Sequence, residues 1–382
     1  MSMNKYTRDE ELFACLAFVK ARGIGPRTWQ KVFDKYGSPA RAIENCPCWQ
    51  EDGLVRKDQL RTFISRSWER EADQELELIA RKNLKVILWN DPEYPEGLRQ
   101  ISGPPALMYF RGDTSLLKNH SLAVVGSRQS SGYGQEMARS ICREISAAGM
   151  TIVSGFAYGI DRQAHLASVD NPGGTVAVLG TGIDLVYPAM NKDLWVRIVE
   201  KGLILTEFCP GTKPDPGNFP YRNRIISGLS LGVLVIQSAI KSGSMITARL
   251  ALDQNKEVFA VPGAVNMDNY EGCNQLIKQG AHLVRCADDI LEVLVPMVKA
   301  NAFLKHDNIL KYSEAPRKML PKDLSQNEKD LADLLACQDQ IHIDALTKKT
   351  GWSSQMVSQV LVLLEIKGLV RRSPGMYYSL RC

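Results

Sequence analysis

The spacing of apolar positions changes twice along the chain. Over residues 10–21, 26–36, 39–43 and 60–80 they recur at helical intervals, which predicts a small all-helical region. From about residue 87 to 297 the pattern becomes short continuous runs of Val, Ile and Leu, each followed by a helical segment. Those runs predict strands at 85–89, 122–125, 151–154, 175–179, 203–206, 233–237, 257–261 and 282–284. A strand apolar on both faces belongs to a sheet covered by helices on both sides, the pattern of parallel α/β sheets. Residues 305–322 are polar and lysine-bearing and read as a linker. The segment from 325 to 382 then resumes an independent pattern. No period of about 20 to 50 residues repeats, which argues against a solenoid.

With 382 residues, more than one core is expected. The layout predicted is a small helical domain of helix-hairpin-helix or SAM-like type over 1–85 and an α/β domain over 86–300. A linker over 301–322 and a winged helix over 323–382 follow. The α/β domain reads as an extended Rossmann-like fold, doubly wound, with a mostly parallel sheet. A net charge of +5 permits a polyanionic partner without requiring one. Nine cysteines at irregular spacing make no disulfide framework. Cys46-Pro-Cys48 is too close for the usual zinc pair, so reduced thiols and a cytoplasmic setting are expected, with no metal. The first ten residues lack a signal-peptide core, and no apolar run nears the roughly 20 residues of a membrane span.

The strands at 122–125 and 151–154, with a helical segment (135–148) between them, form a βαβ unit whose loops would cradle phosphate. Five loops should share the carboxyl edge of the sheet. They begin at Gly126-Ser127-Arg128, Ser154-Gly155, Gly180-Thr-Gly182, Asn218-Phe219 and Ser238. Together they carry the cations Arg128, Arg162, Arg222, Arg224 and Lys241, with Asn223 between two of them. They also carry the hydroxyls of Ser127, Ser154, Ser242, Ser244 and Thr247, and glycines such as Gly126, Gly155 and Gly243 where a backbone can come close. Four of the cations, Arg128, Arg222, Arg224 and Lys241, would repel one another without an anion between them. Phosphate-gripping loops with interleaved aromatics suit an extended single strand of nucleic acid, and the aromatic candidates are Phe156, Tyr158, Phe219 and Tyr221. Phe156 and Tyr158 are expected to pack a helix on the sheet. Asp161 is expected to cap or pair within the fold, and His165 to be structural.

Enzyme signatures are missing: no G-x-G-x-x-G follows the 122–125 strand, and no ordered Walker motif or acid pair appears. The sequence favours binding over turnover. Two alternatives stay open, a nucleotide-processing Rossmann-type hydrolase using Asp161 and His165, and a regulator that reads duplex DNA through the winged helix. In that last domain the second helix carries Gln355, Ser358, Gln359 and Glu365 with almost no Lys or Arg, and Arg371 and Arg372 in the wing are its strong cations. A protein-contact or auxiliary DNA role fits this better than operator reading. Near the N-terminus, Arg22-Gly-Ile-Gly-Pro-Arg-Thr28 has the form of a helix-hairpin-helix turn. It either grips a backbone phosphate or joins two helices of a domain docked on the core.

Taken in order, Gly126-Ser-Arg128, Ser154-Gly-x-Ala-x-Gly-Ile-Asp161, Phe219-Pro-x-Arg-Asn-Arg-Ile-Ile-Ser227, Ser242-Gly-Ser-x-Ile-Thr-Ala248 and Val258-Phe-Ala-Val-Pro-Gly263 closely resemble the DNA-processing protein A family (DprA, also called Smf). The resemblance extends to Asp91-Pro-x-Tyr-Pro and Gly103-Pro-Pro-Ala-Leu107. One departure is Gln237-Ser238, where that family usually has an acidic residue followed by Ala. The resemblance implies a protein of natural transformation and recombination that binds incoming single-stranded DNA, protects it and helps load RecA recombinase. It further implies a homodimer formed through the Rossmann-like domain, no catalytic cofactor, and a DNA pocket including Gly126, Ser127, Arg128, Phe219, Arg222, Arg224, Lys241, Ser242 and Gly243.

Overall fold

The computed structural model describes residues 5–304, 325–336, 341–367, 369–373 and 375–380. The chain divides at residues 308/309 into two compact units. The first opens with helices α1 (Arg8–Lys20), α2 (Pro26–Tyr36), α3 (Pro39–Glu44), α4 (Lys57–Ile64) and α5 (Glu69–Arg81). Next come β1 (Lys85–Leu88), α6 (Glu96–Arg99), β2 (Leu107–Gly112), β3 (Ser121–Gly126), α7 (Gly132–Ala147), β4 (Thr151–Ser154), α8 (Ile160–Ser168), β5 (Thr175–Val178), α9 (Lys192–Lys201) and β6 (Leu203–Thr206). The unit closes with α10 (Asn218–Leu229), β7 (Gly232–Ile236), α11 (Gly243–Asp253), β8 (Glu257–Ala260), α12 (Asp268–Lys278), β9 (His282–Leu283) and α13 (Ala287–Leu304).

One nine-stranded sheet runs β1-β2-β6-β5-β4-β3-β7-β8-β9. Strands β3 to β9 pair in parallel, while β1 and β2 are antiparallel. From β3 the chain lays β4, β5 and β6 to one side and β7, β8 and β9 to the other. Their connecting helices therefore diverge at the β3/β7 boundary and leave a crevice beyond the strand ends. Every residue of β4, β5, β6 and β7 is buried, as their unbroken apolar runs require.

Two elements differ from the sequence reading. Strand β2 was not among the expected runs; it follows Pro104-Pro105 and is fully buried for only half its length. It inserts between β1 and β6 and buries Leu107, Met108 and Tyr109. The single helix expected over 60–80 is α4 and α5, broken where Arg66 takes φ 53°. There Trp68 turns inward and its indole N–H donates to the Phe63 carbonyl at 2.9 Å.

The helical region shares its core with the sheet. Phe18, Phe33, Trp49, Phe63 and Trp68 stack on one another, and the Phe33 ring meets Trp89 at 5.4 Å beyond the end of β1. Polar ties reinforce this. Arg8 donates to Asp91 (2.8 Å) and to the Val86 carbonyl (2.9 Å), and the buried Glu75 carboxylate takes Lys20 and the Tyr109 hydroxyl.

The second unit contains α14 (Gln326–Ala336), β10 (Ile341–His342), α15 (Ile343–Thr350), α16 (Ser354–Ile366), β11 (Val370–Ser373) and β12 (Tyr377–Leu380), with sheet order β10-β12-β11. Gly351 in the left-handed region ends α15, and the Ser353 hydroxyl caps α16 by accepting from Met356 N. This is a winged helix. The expected linker over 305–322 and the hairpin tip at Pro374 lie outside the described residues, and so do the side chains of Arg371 and Arg372.

Candidate nucleic-acid interface

The crevice at the β3/β7 boundary is a cleft of about 860 Å³, lined by residues that follow six strand ends, β3 to β8. Gly126 closes β3 opposite Ile236; a Cβ there would lie 2.0 Å from the Ile236 carbonyl oxygen and against Ile160. Only glycine lets β7 and α8 pack on the strand end and turn the next two residues, Ser127 and Arg128, into the cleft. Ser127 N then donates to the Gln237 carbonyl at 2.8 Å. Gln237, buried with φ 53°, accepts from Ser131 N (2.8 Å) and Ser131 Oγ (2.9 Å), and so fixes the loop at the residue that caps α7.

After β4, the first turn of α8 supplies Asp161. Its carboxylate accepts from Gly155 N (3.1 Å) and Ala157 N (3.3 Å), closing the loop on itself. Arg222 lies across this loop, so close that a Cβ on Gly155 would sit 2.4 Å from its Nη1. The guanidinium donates to the Val178 carbonyl, and its Nε has no partner among the described residues. Burial lowers its pKa to about 10, the Asp161 carboxylate opposes that shift, and Arg128 adds to it. Burial likewise raises Asp161, against the pull of Arg222 and the two N–H groups. The outcome is a buried cation with an incomplete set of acceptors, aimed at a cleft.

Arg128 makes no ion pair among the described residues, and its guanidinium stands 5.3 Å from the centroid of the Phe219 ring. Phe219 in turn faces Tyr187 at 5.9 Å and 31°. These three side chains, with Arg222, Gly155 and Gly180, enclose a niche beside the main cleft. At the opposite wall the hydroxyls of Ser238, Ser242 and Ser244 form a triangle of 2.7 to 2.8 Å edges at the start of α11. Gly243 within it has no atom within 4 Å of its would-be Cβ, so nothing in the protein itself demands glycine there. Asn223 donates to the Gly243 carbonyl at 3.4 Å and joins α10 to this wall.

Ten of the expected residues line the cleft: Gly126, Ser127, Arg128, Phe219, Arg222, Asn223, Ser242, Gly243, Ser244 and Thr247. Gly155 underlies Arg222 in the niche. Lys241 is exposed and lies just outside the lining. Arg224 departs from the expectation. Two residues along a helix turn a side chain to the other face, and Arg224 is buried there on Glu207, with Nη2 to Oε2 at 2.6 Å and Nε to the Gly103 carbonyl at 2.9 Å. The expected convergence of four cations therefore loses Arg224, which is neutralised within the fold. Arg162 is likewise engaged, by Asn191 and Asp193. Sequence reasoning missed Tyr187, Ser238 and Asn269, which also line the cleft. The Tyr187-Pro188 pair just beyond the Gly180 loop was the available signal for the first.

Phe156 is fully buried against Trp195 and does not reach the cleft. His165 is also fully buried. Thr175 Oγ1 donates to the Ile152 carbonyl (2.8 Å) and so accepts from His165 Nδ1 (2.7 Å), which leaves Nε2 unprotonated and without a partner. Burial lowers the pKa of this imidazole to about 3, and it faces no solvent.

Fold and cleft together define a Rossmann-like protein with an anion-receptive, aromatic-edged switch-point cleft and an added winged helix. The chain belongs to the DNA recombination-mediator protein A (DprA) family, whose model matches residues 85–295, and the DprA winged helix domain matches residues 315–376. It is 33% identical to the Smf protein of Synechocystis over 96% of this chain and 98% of that one. It is 42% identical to the DNA processing protein DprA of Bacillus subtilis over 56% of this chain and 72% of the relative. The crystal structure of DNA processing protein A from Streptococcus pneumoniae covers 76% of this chain and 99% of its own, with TM-score 0.67 and 33% identity. The solved structure of DNA processing protein A from Helicobacter pylori, described for its single-stranded DNA binding mode, covers 56% of this chain and 97% of its own, with TM-score 0.51 and 30% identity. No helix among the described residues is long and apolar enough to cross a membrane.

Proposed function

We propose that the chain binds single-stranded DNA in the switch-point cleft, without turnover, during natural transformation and recombination. In that role it protects the incoming strand and assists the loading of RecA recombinase, and it works as a homodimer through the Rossmann-like domain. The observation that carries the binding reading is the pairing of Arg128 with the Phe219–Tyr187 aromatic pair, beside the buried Arg222. Cations supply phosphate contacts and open ring faces supply stacking, the two requirements of a single strand. Binding is favoured over hydrolysis because Asp161 is engaged by backbone N–H groups and His165 is walled off from the cleft. RecA loading and strand protection come from family membership.

Fluorescence anisotropy with single-stranded and duplex oligonucleotides, at about 50 and 200 mM salt, tests the reading. Tight, salt-sensitive binding of the single strand is expected, with each lost phosphate contact reducing the log–log salt slope by about 0.7. Arg128→Ala should weaken binding and leave the melting temperature unchanged. Equal affinity for duplex, or wild-type affinity in Arg128→Ala, would overturn it.

A further inference from the structure

A second cleft, of about 810 Å³, opens on the other face of α10. One wall is the turn from Gly25 to Thr28 ahead of α2, the other is Tyr221 and Arg224 with the end of α11 as far as Lys256, and the floor is the segment from Gly97 to Gly103. The walls are pinned to the floor. Gln30 donates to the Ile101 carbonyl (3.1 Å) and accepts from Gly103 N (3.0 Å), Arg224 donates to the Gly103 carbonyl (2.9 Å), and Gln254 donates to the Arg224 carbonyl (3.2 Å). Gly103, at φ 74°, leaves only 3.0 Å between its would-be Cβ and Pro26, so the hairpin sits directly on the core.

Three side chains on these walls bear on what the cleft holds, and one of them, Tyr221, also packs on Phe208 with ring centroids 6.2 Å apart. Arg27 is exposed and Lys256 is half-buried, and neither makes an ion pair among the described residues. Lys256 Nζ rests 3.8 Å from the position a Cβ on Gly97 would take, and burial lowers its pKa with no carboxylate to oppose the shift. Tyr221 is 42% exposed, with the Arg224 guanidinium 4.0 Å from its ring centroid. Asp253 is the carboxylate in the lining, and the nearby Glu207 is matched by Arg224. Two unmatched cations around an exposed ring reproduce the composition of the first cleft.

The clefts also adjoin. On α11, Ile246 lines the first and Leu250, about 6 Å further along the helix axis, lines the second. On α10, Pro220 lines the first and Tyr221 the second. On both helices, residues within about one turn of each other thus line the two clefts.

We infer that the second cleft extends the single-strand track, with Arg27 and Lys256 holding backbone phosphates and Tyr221 stacking a base. The hairpin ahead of α2 thereby becomes part of the nucleic-acid surface. The inference rests on the reading that the first cleft holds single-stranded DNA. Its test is anisotropy with two oligothymidylates at the ends of the usual range of about 4 to 16 nucleotides, on wild type and Arg27→Ala/Lys256→Ala. The double variant should keep wild-type affinity for the short strand. For the long strand it should bind more weakly, with a salt slope shallower by about 1.4, two contacts at about 0.7 each. Unchanged affinity for the long strand overturns the inference, and so does an equal loss on both lengths. If wild type binds neither strand, the underlying reading fails instead. Thermal melting of the double variant confirms that the hairpin is still docked.

Discussion

Arg224 offers the sharpest test, because sequence and structure assign it different work. The sequence groups it with Arg128, Arg222 and Lys241 as a ligand for phosphate; the structure pairs it with Glu207, the side chains 9% and 11% exposed. Removing one partner of a buried ion pair costs about 3–5 kcal/mol, since the other charge stays behind without compensation. Glu207 keeps about a tenth of its surface in water, which places Arg224→Ala toward the lower end. The lost bond to the Gly103 carbonyl adds about 1 kcal/mol. Urea unfolding of the first unit should therefore register a loss of roughly 3–5 kcal/mol, with affinity for a short single strand unchanged under conditions where the variant is folded. Arg224→Gln/Glu207→Gln should recover much of the loss, because no charge is stranded. A variant Arg224→Ala with wild-type stability and weakened short-strand binding would refute this assignment and restore the guanidinium to the ligand site.

Gly243→Ala should leave stability within about 1 kcal/mol of wild type, the usual helix difference between Gly and Ala, because its added methyl meets no protein atom. It should weaken single-strand binding if a backbone approaches there, and anisotropy at wild-type affinity would show that none does. His165 has a pH signature: its folded pKa is about 3, whereas the unfolded imidazole titrates near 6.5. Its contribution is therefore complete above about pH 6.5 and lost progressively as pH falls toward 3. Asp161, raised by burial, acts in the opposite sense. His165→Gln should flatten the decline in unfolding free energy between about pH 7 and pH 4; an unaltered slope would show that the decline has another origin.

The parallel strands were legible because each is an unbroken apolar run, and β4 and β6 fall at the expected residues. The antiparallel β2 was not, because its run ends in Arg111-Gly112 and its partners lie far apart in sequence. Within the cleft, glycines and cations could be read from loops that follow strands, so Gly126, Ser127, Arg128 and Arg222 were found together. Counting cations could not reveal which face of α10 each occupies, nor that Glu207 waits beside Arg224. The glycines also divide in a way sequence does not display. Gly126 and Gly155 are demanded by Ile236 and Arg222 of the protein itself, while Gly243 is not. Tyr187 was missed because it follows its strand at a distance, past the Gly180 loop.

The two edges of the nine-stranded sheet are unlike. At β1, Arg8 from α1 occupies the Val86 carbonyl and the helical region packs alongside. At the far end stands β9, two residues long, with Leu283 45% exposed. A sheet with one blocked edge cannot propagate by adding further copies. If two copies paired through the β9 edge about a twofold axis, each would use up the remaining edge of this sheet. An assembly formed in that way would end at two, with the helices packed against β1 as the stop that keeps a strand-edge contact from growing into a fibre.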